Sequence, residues 1–464
     1  MSRVAAMAVL LVAARAHREH RGDCAAQQPR ASRDYCGAPA DPAEVSGRVA
    51  SPSDGALRGA RDAPAPRIAQ AGVAMPRGWR RSEWLAPKPS SVLYEWQRAF
   101  EAPLVWRLDN YVGLGNALDA YARAAIEASH RKRRLVVHST IVAKFCAIVR
   151  CRLEPRSDPG RPANRRPRTR LHRVRPGGRA LRTPNRTRLH RVRPGGRALR
   201  TPMDDDGGTV RYSTFGWRNS RPDKGYDGTL ADLFARSSCA TLVCLRRAIL
   251  RDLVEDVNGT AAARAGPALR DAFVGGDPAA PSAAAVHLRT LDFIESKNAT
   301  LRGDAAAAAW LGSRRALQKW TCLARRLRAA RLGCGAGDRV FVAADSAVVK
   351  RRFAAALRTA FPGVGVGYFD GLAPPIYDTW LKEEPTPGEW LLLAAAAADW
   401  LALARSAHVL GLKGTTTGLA LPSSFARTAT LAFSPATFEN LQRLVWSRDD
   451  RRVACCVWKD DNDW

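Results

Sequence analysis

The sequence predicts an α/β fold of two doubly wound lobes, and two observations carry that prediction. Short apolar runs alternate with helix-period stretches from about residue 92 to 433, the pattern of strand–helix–strand units. Four of these units also carry an island of glycine, hydroxyl or charged groups. They are Gly113-Leu114-Gly115-Asn116, Val286-His287-Leu288-Arg289, Val340 to Asp345, and Leu410 to Thr417. Open α/β sheets build ligand sites at the carboxyl ends of their strands, where such groups are released. Together these groups suit a nucleotide diphosphate.

The elements follow in order. Leu104-Val105-Trp106 is a short strand. After Gly115 a helix runs over 118–129, with Leu118, Tyr121, Ala122, Ala125 and Ile126 at the spacing of one buried face. Leu135-Val136-Val137 is the next strand. Helical pieces resume between 226 and 257, and the Ala/Gly/Pro-rich stretch 261–282 reads as a hinge. The pattern then becomes regular: strand 284–289, helix 305–331, strand 339–344, helix 346–359, strand 364–368, buried helix 389–406, strand 407–412, helix 418–427 and strand 429–433. The chain therefore divides into an N-terminal lobe, 91–280, and a C-terminal lobe, 281–464.

Composition places limits on what surrounds these lobes. The 464 residues allow two or three domains and a large core. Arg3 followed by the apolar run Val4 to Ala14 and then Ala14-Arg15-Ala16 reads as a signal peptide, 1–16. Residues 17–90 lack any sustained period and read as a disordered stem. Three glycosylation sequons (Asn185, Asn258, Asn298) and ten cysteines fit a secretory route. Cys239 with Cys244, or Cys322 with Cys334, are plausible local disulfide pairs. No later segment reads as a transmembrane helix, because the most apolar one, Trp390 to Ala404, carries Asp399.

The formal net charge of +31 is uneven. Arg150 to Pro202 holds 18 arginines, no lysine and two acids, Glu154 and Asp158. Within it, residues 168–184 recur unchanged at 186–202. So little apolar surface cannot offset the entropy of ordering the segment, so 152–208 reads as a disordered insert. An anionic-glycan or nucleic-acid tether is the functional alternative. Neither copy offers an aromatic side chain for base stacking, which speaks against a specific nucleic-acid partner.

Each island has a plain reading beside a functional one. Gly113 and Gly115 can let the backbone approach a ligand or adopt positive φ. Asn116 can cap a helix or present its amide. His287 and Arg289 share one face of a strand whose other face carries Val286 and Leu288. A guanidinium there suits a diphosphate, with pairing to Asp292 as the structural alternative. Asp345 can cap the following helix, as can Ser346, or can accept hydrogen bonds from a ligand. Thr415, Thr416 and Thr417 after Gly414 exceed what one helix cap needs and suit a phosphate cradle.

Assembled in this order, the motifs resemble those of the GDP-fucose-dependent fucosyltransferase superfamily: the α1,6-, α1,2- and protein O-fucosyltransferases. The resemblance covers about residues 100–150 and 225–435. It implies two Rossmann-like lobes in a GT-B-like arrangement, with the C-terminal lobe binding the nucleotide sugar. It implies an inverting, metal-independent glycosyltransferase that needs no cofactor, takes GDP-fucose as donor, and acts on a glycan or glycoprotein acceptor in the Golgi or elsewhere on the secretory pathway. Arg289 would then be the catalytic residue that stabilises the leaving diphosphate. His287 and Asp345 would contact guanosine, Thr415 to Thr417 would cradle phosphate, Gly113 and Gly115 would belong to the donor-binding set, and Asn116 would reach toward the sugar or acceptor from the other lobe. The chain departs from the family where Thr290-Leu291-Asp292 follows Arg289 in place of further basic residues. Asp109, Asp119 and Asp292 are candidate bases. Alternative readings are a degenerate nucleotide- or glycan-binding protein, and a polyanion binder acting through the arginine repeat.

Overall fold

The computed structural model describes residues 84–108, 113–156, 203–205, 209–212, 241–255, 266–289, 338–361, 363–372, 384–413, 423–432, 437–446 and 453–460, with scattered helical residues between 233 and 237 and between 319 and 327. Single positions at 239, 380 and 382 are also described. The expected signal peptide, the three sequons, the arginine repeat, Asp109, Asp292 and Thr415 to Thr417 lie outside the described residues.

The first sheet contains Trp84–Pro87 (β1), Pro103–Leu108 (β2), Arg134–His138 (β3), Leu153–Arg156 (β4), Met203–Asp205 (β5) and Thr209–Tyr212 (β6), in spatial order β4-β1-β3-β2-β6-β5. Its centre is parallel: β2 pairs with β3 on one side and β6 on the other. β1, β4 and β5 pair antiparallel to their neighbours. Ordered strands therefore reach into both spans read as disordered, β1 into the stem and β4 and β5 into the insert. Ser91 caps helix α1, Val92–Gln97, and helices α2, Leu114–His130, and α3, Thr140–Ile148, follow β2 and β3. Helix α4, Leu242–Leu253, packs against α2.

Helix α5, Gly266–Asp271, leads into the second sheet, which holds Phe273–Val274 (β7), Ala284–Arg289 (β8), Arg339–Ala344 (β9), Gly365–Phe369 (β10), His408–Lys413 (β11), Thr437–Trp446 (β12) and Val453–Asp460 (β13). The spatial order is β13-β12-β11-β8-β9-β10-β7. Strands β12, β11, β8, β9 and β10 are mutually parallel, while the edge strands β13 and β7 run antiparallel. The chain starts at β8, steps outward through β9 and β10, then returns to the other flank of β8 as β11. Strand order thus reverses between β8 and β11. β7 lies before the boundary expected at 281, yet it pairs with β10, so the expected hinge region contributes to the second sheet.

Period-two alternation sorts the side chains of this sheet. Ala284, Val286 and Leu288 pack in one apolar cluster with Val349, Phe353 and Leu357 of helix α6, Ala347–Ala360. Ala285, Phe341, Ala343 and Val409 face the other way, into a cluster with helix α7, Pro387–Arg405, and helix α8, Ser424–Ala432. α7 is apolar on nearly every side, as a helix buried all round is, with Asp399 paired to Lys350. A capping box of Thr386 and Glu389 fixes its start. The same cluster includes Leu104, Trp106 and Val137 of the first sheet. The two lobes expected from the sequence therefore share one continuous core at this level.

Three disulfides join described cysteines: Cys146–Cys151, Cys239–Cys244 and Cys322–Cys456. Cys322 thus pairs with a residue of β13 and not with the nearby Cys334. The expected strand 429–433 is instead the end of α8. Its β-branched Thr428 and Thr430 turn their hydroxyls back to the Ser424 and Ala426 carbonyls (2.8 and 3.2 Å), and burial against α2, α4 and α7 overrides propensity. The strand that follows is β12.

Candidate functional site

The carboxyl ends of β8, β9 and β11 lie side by side, because Arg289 is in register with Lys413 and Leu288 with Ala344. This is the edge of the sheet, at the reversal of strand order, where open α/β sheets bind ligands. Three of the four sequence islands meet there. His287 and Arg289 come from β8, Asp345 follows β9, and β11 ends at Lys413.

His287 is buried, with 7% exposure, and its ring stacks on Phe425 at 5.5 Å between centroids. Burial drives its pKa down, to about 3, and the charges of Arg289 and Lys350 push the same way. The imidazole is therefore neutral at physiological pH, so it offers one donor and one acceptor nitrogen and no charge. Its Nδ1 is buried with no hydrogen-bond partner among the described residues. Arg289, two residues on, is half-buried at the strand's end. A buried ion pair joins α6 to α7. Lys350 Nζ donates to Asp399 Oδ2 at 2.7 Å and to the Leu372 carbonyl at 3.2 Å, and both side chains are almost completely buried. Burial pushes the Asp399 carboxyl up to about 6, against the pull of Lys350.

The competing roles of Asp345 are now separable. Ser346 is the N-cap of α6, and its hydroxyl accepts from the Val349 N–H at 3.4 Å. Asp345 is half-buried at the end of β9, and its backbone N–H donates to the Leu288 carbonyl at 3.3 Å. Capping is thus assigned to Ser346, and the backbone of Asp345 lies against the end of β8.

The glycine island behaves differently. Gly113 is the N-cap of α2 at φ −76°, and Gly115 lies inside the helix, so neither takes the positive φ that the sequence allowed. A Cβ on Gly115 would sit 2.2 Å from the Phe425 backbone nitrogen. Gly115 is thus the point where α2 and α8 cross with backbones almost touching, and this packing accounts for the glycine without a ligand. Asn116 is half-buried in the first turn of α2 and is not the cap. No side chain caps this helix, which leaves its first N–H groups without that partner.

Among the candidate bases only Asp119 is described, and its surroundings do not suit a base. Burial would raise its pKa, but Arg427, Arg123 and Arg246 together hold it below the usual carboxylate value. This cluster was not legible in the sequence beyond the i,i+4 spacing of Asp119 and Arg123. Arg246 and Arg427 come from distant parts of the chain.

No protein-family model and no curated protein matches this chain. Solved structures do. The NodZ alpha-1,6-fucosyltransferase co-crystallized with GDP is 16% identical, covering 78% of this chain and 98% of that one, with a TM-score of 0.32. NodZ soaked with GDP-fucose is 18% identical over 52% of this chain and 67% of that one, with a TM-score of 0.24. The fucosyltransferase NodZ from Bradyrhizobium is 17% identical over 57% and 61%, with a TM-score of 0.27. At these values the likeness assigns neither substrate nor mechanism to this chain.

Among the described residues no group of three or more His, Cys, Asp or Glu could hold a metal ion. No described helix is long and apolar enough to cross a membrane.

Proposed function

We propose that the carboxyl edge of the second sheet binds a nucleotide diphosphate sugar and that the protein is a glycosyltransferase. One observation carries this reading: His287 and Arg289 end the central strand at the point where strand order reverses, with Asp345 on the adjacent strand end. The reading extends, on the motif resemblance, to an inverting fucosyltransferase of the secretory pathway. It would take GDP-fucose as donor and a glycan or glycoprotein as acceptor.

The proposed roles follow from the chemistry of the groups. Arg289 donates parallel hydrogen bonds to the diphosphate and stabilises charge on GDP as the glycosidic bond breaks, which is where an oxocarbenium-like transition state most needs help. Neutral His287 offers a ring nitrogen to the donor without adding charge. Asp345 accepts hydrogen bonds from the nucleoside end. Thr415, Thr416 and Thr417, which follow β11 in sequence, supply hydroxyls and N–H groups to phosphate. Asn116 and the uncapped start of α2 face the transfer from the first lobe. Inversion requires the acceptor hydroxyl to attack opposite the departing GDP.

The test is a thermal-shift panel of GDP, UDP, ADP and CMP, followed by turnover of GDP-fucose with an acceptor library. A ligand of the folded state raises its apparent stability. Selective stabilisation by GDP is expected. Equal response to all four, or none, would defeat the donor assignment.

A further inference from the structure

The buried knot around Asp119 ties together three helices, one of which carries Phe425 against His287. Asp119 Oδ2 sits 3.2 Å from Arg123 Nη2 and 3.3 Å from Arg427 Nη2, and Oδ1 is 3.9 Å from Arg246 Nη1. The carboxylate side chain is 14% exposed and the three guanidinium side chains 4–8%. The groups come from three helices, with Asp119 and Arg123 on α2, Arg246 on α4 and Arg427 on α8. The knot therefore ties α2 to α4 and α8.

Its reach comes from the geometry of α8. At 100° per residue, Phe425 and Arg427 project from nearly opposite sides of the helix. Arg427 is held by Asp119 on one side, and Phe425 lays its ring on His287 on the other. Gly115 fixes how closely α2 and α8 approach, because the Phe425 backbone fills the space of a Cβ. Close approach sets the distance between the two helices. The Asp119–Arg427 pair adds a polar tie that orients α8 about its axis. Trp400 Nε1, donating to Thr428 Oγ1 at 3.1 Å, holds the same turn from α7.

We propose that Asp119 is a positioning residue for the donor site: by holding Arg427 it sets the roll of α8, and through Phe425 it sets the seat of the His287 ring. The inference rests on the reading of His287 as a donor contact only in its effect on binding. Its structural half stands without any ligand.

The experiment uses the full chain with Asp119→Asn, Arg427→Met and the double variant. Two quantities are read: the His287 Hε1 resonance, which feels the ring current of Phe425, and GDP affinity by calorimetry. Phe425→Leu supplies the reference shift for a ring removed. Asp119→Asn should move the His287 resonance toward that reference and weaken GDP binding roughly tenfold. The double variant should be no worse than either single, because both break one linkage. An unmoved His287 resonance in folded Asp119→Asn would overturn the proposal, as would losses that multiply in the double variant. If Asp119→Asn does not fold, Arg427→Met carries the same test, since Asp119 keeps Arg123 and Arg246 beside it. If the wild-type chain binds no GDP, the donor reading fails, and the resonance still decides the positioning role.

Discussion

Two helix starts looked alike in the sequence and are used in opposite ways. The start of α2 carries Gly113, Gly115 and Asn116, and the start of α6 carries Asp345 and Ser346. Both were read as places where a strand hands polar groups to a ligand, with capping as the plain alternative. At α2 the glycine is consumed by packing, because Gly115 lets the α8 backbone pass at a distance no side chain permits. At α6 the cap is supplied by Ser346, so the neighbouring carboxylate is not spent on it. A helix-start motif can therefore be read as functional only when packing and capping have been accounted for by other groups.

That comparison can be broken by mutation. Gly115→Ala should have the largest effect, about 3 kcal/mol or more of destabilisation in chemical unfolding, because backbone cannot move aside as a side chain can. A loss under 0.5 kcal/mol would mean that α2 and α8 do not cross as described.

His287→Asn sharpens the contrast through pH. The folded-state pKa is about 3 against an ordinary 6.5. Between these values the unfolded chain takes up a proton that the folded chain refuses, so this group's stability contribution is present above pH 6.5 and lost as pH falls. Relative to His287→Asn, the wild type should lose up to about 1.4 kcal/mol per pH unit in that window. Asp399, raised to about 6, acts in the opposite direction between pH 3.8 and 6, where the folded chain holds the extra proton. The comparison with the variant cancels that contribution. A pH-independent difference between wild type and variant would place His287 in water.

The α6 start gives the smaller effects. Ser346→Ala should cost about 1 kcal/mol, as loss of an N-cap does, with nucleotide affinity unchanged. Asp345→Asn should do the reverse, leaving the α6 cap in place while weakening GDP binding about tenfold. If the two variants exchange these signatures, Asp345 is the cap and the donor role fails.

The second sheet was largely legible because its strands are short apolar runs with clear turn residues. Strands 284–289 and 339–344 lie where the sequence placed them, and 364–368 and 407–412 each sit one residue early. The face shared by His287 and Arg289 followed from period-two alternation. What stayed hidden depends on partners distant in sequence. The β12–β13 pair, rich in charged and aromatic residues, becomes a strand pair only by pairing with itself and with β11. The Thr428 and Thr430 region reads as strand until its burial among helices is known. The knot around Asp119 needs residues more than a hundred positions apart to meet. The shared core between the sheets was foreshadowed by the largely apolar α7, but which surfaces would cover that helix was not.

The central claim is that Arg289 at the edge of the second sheet holds a nucleotide diphosphate. The most direct test is calorimetric titration of GDP and of guanosine into the wild type and into Arg289→Ala, with the fold of each checked by circular dichroism. The account predicts that the wild type binds GDP, that Arg289→Ala loses at least about tenfold in GDP affinity, and that guanosine binding changes little. A folded Arg289→Ala that binds GDP as tightly as the wild type would contradict it.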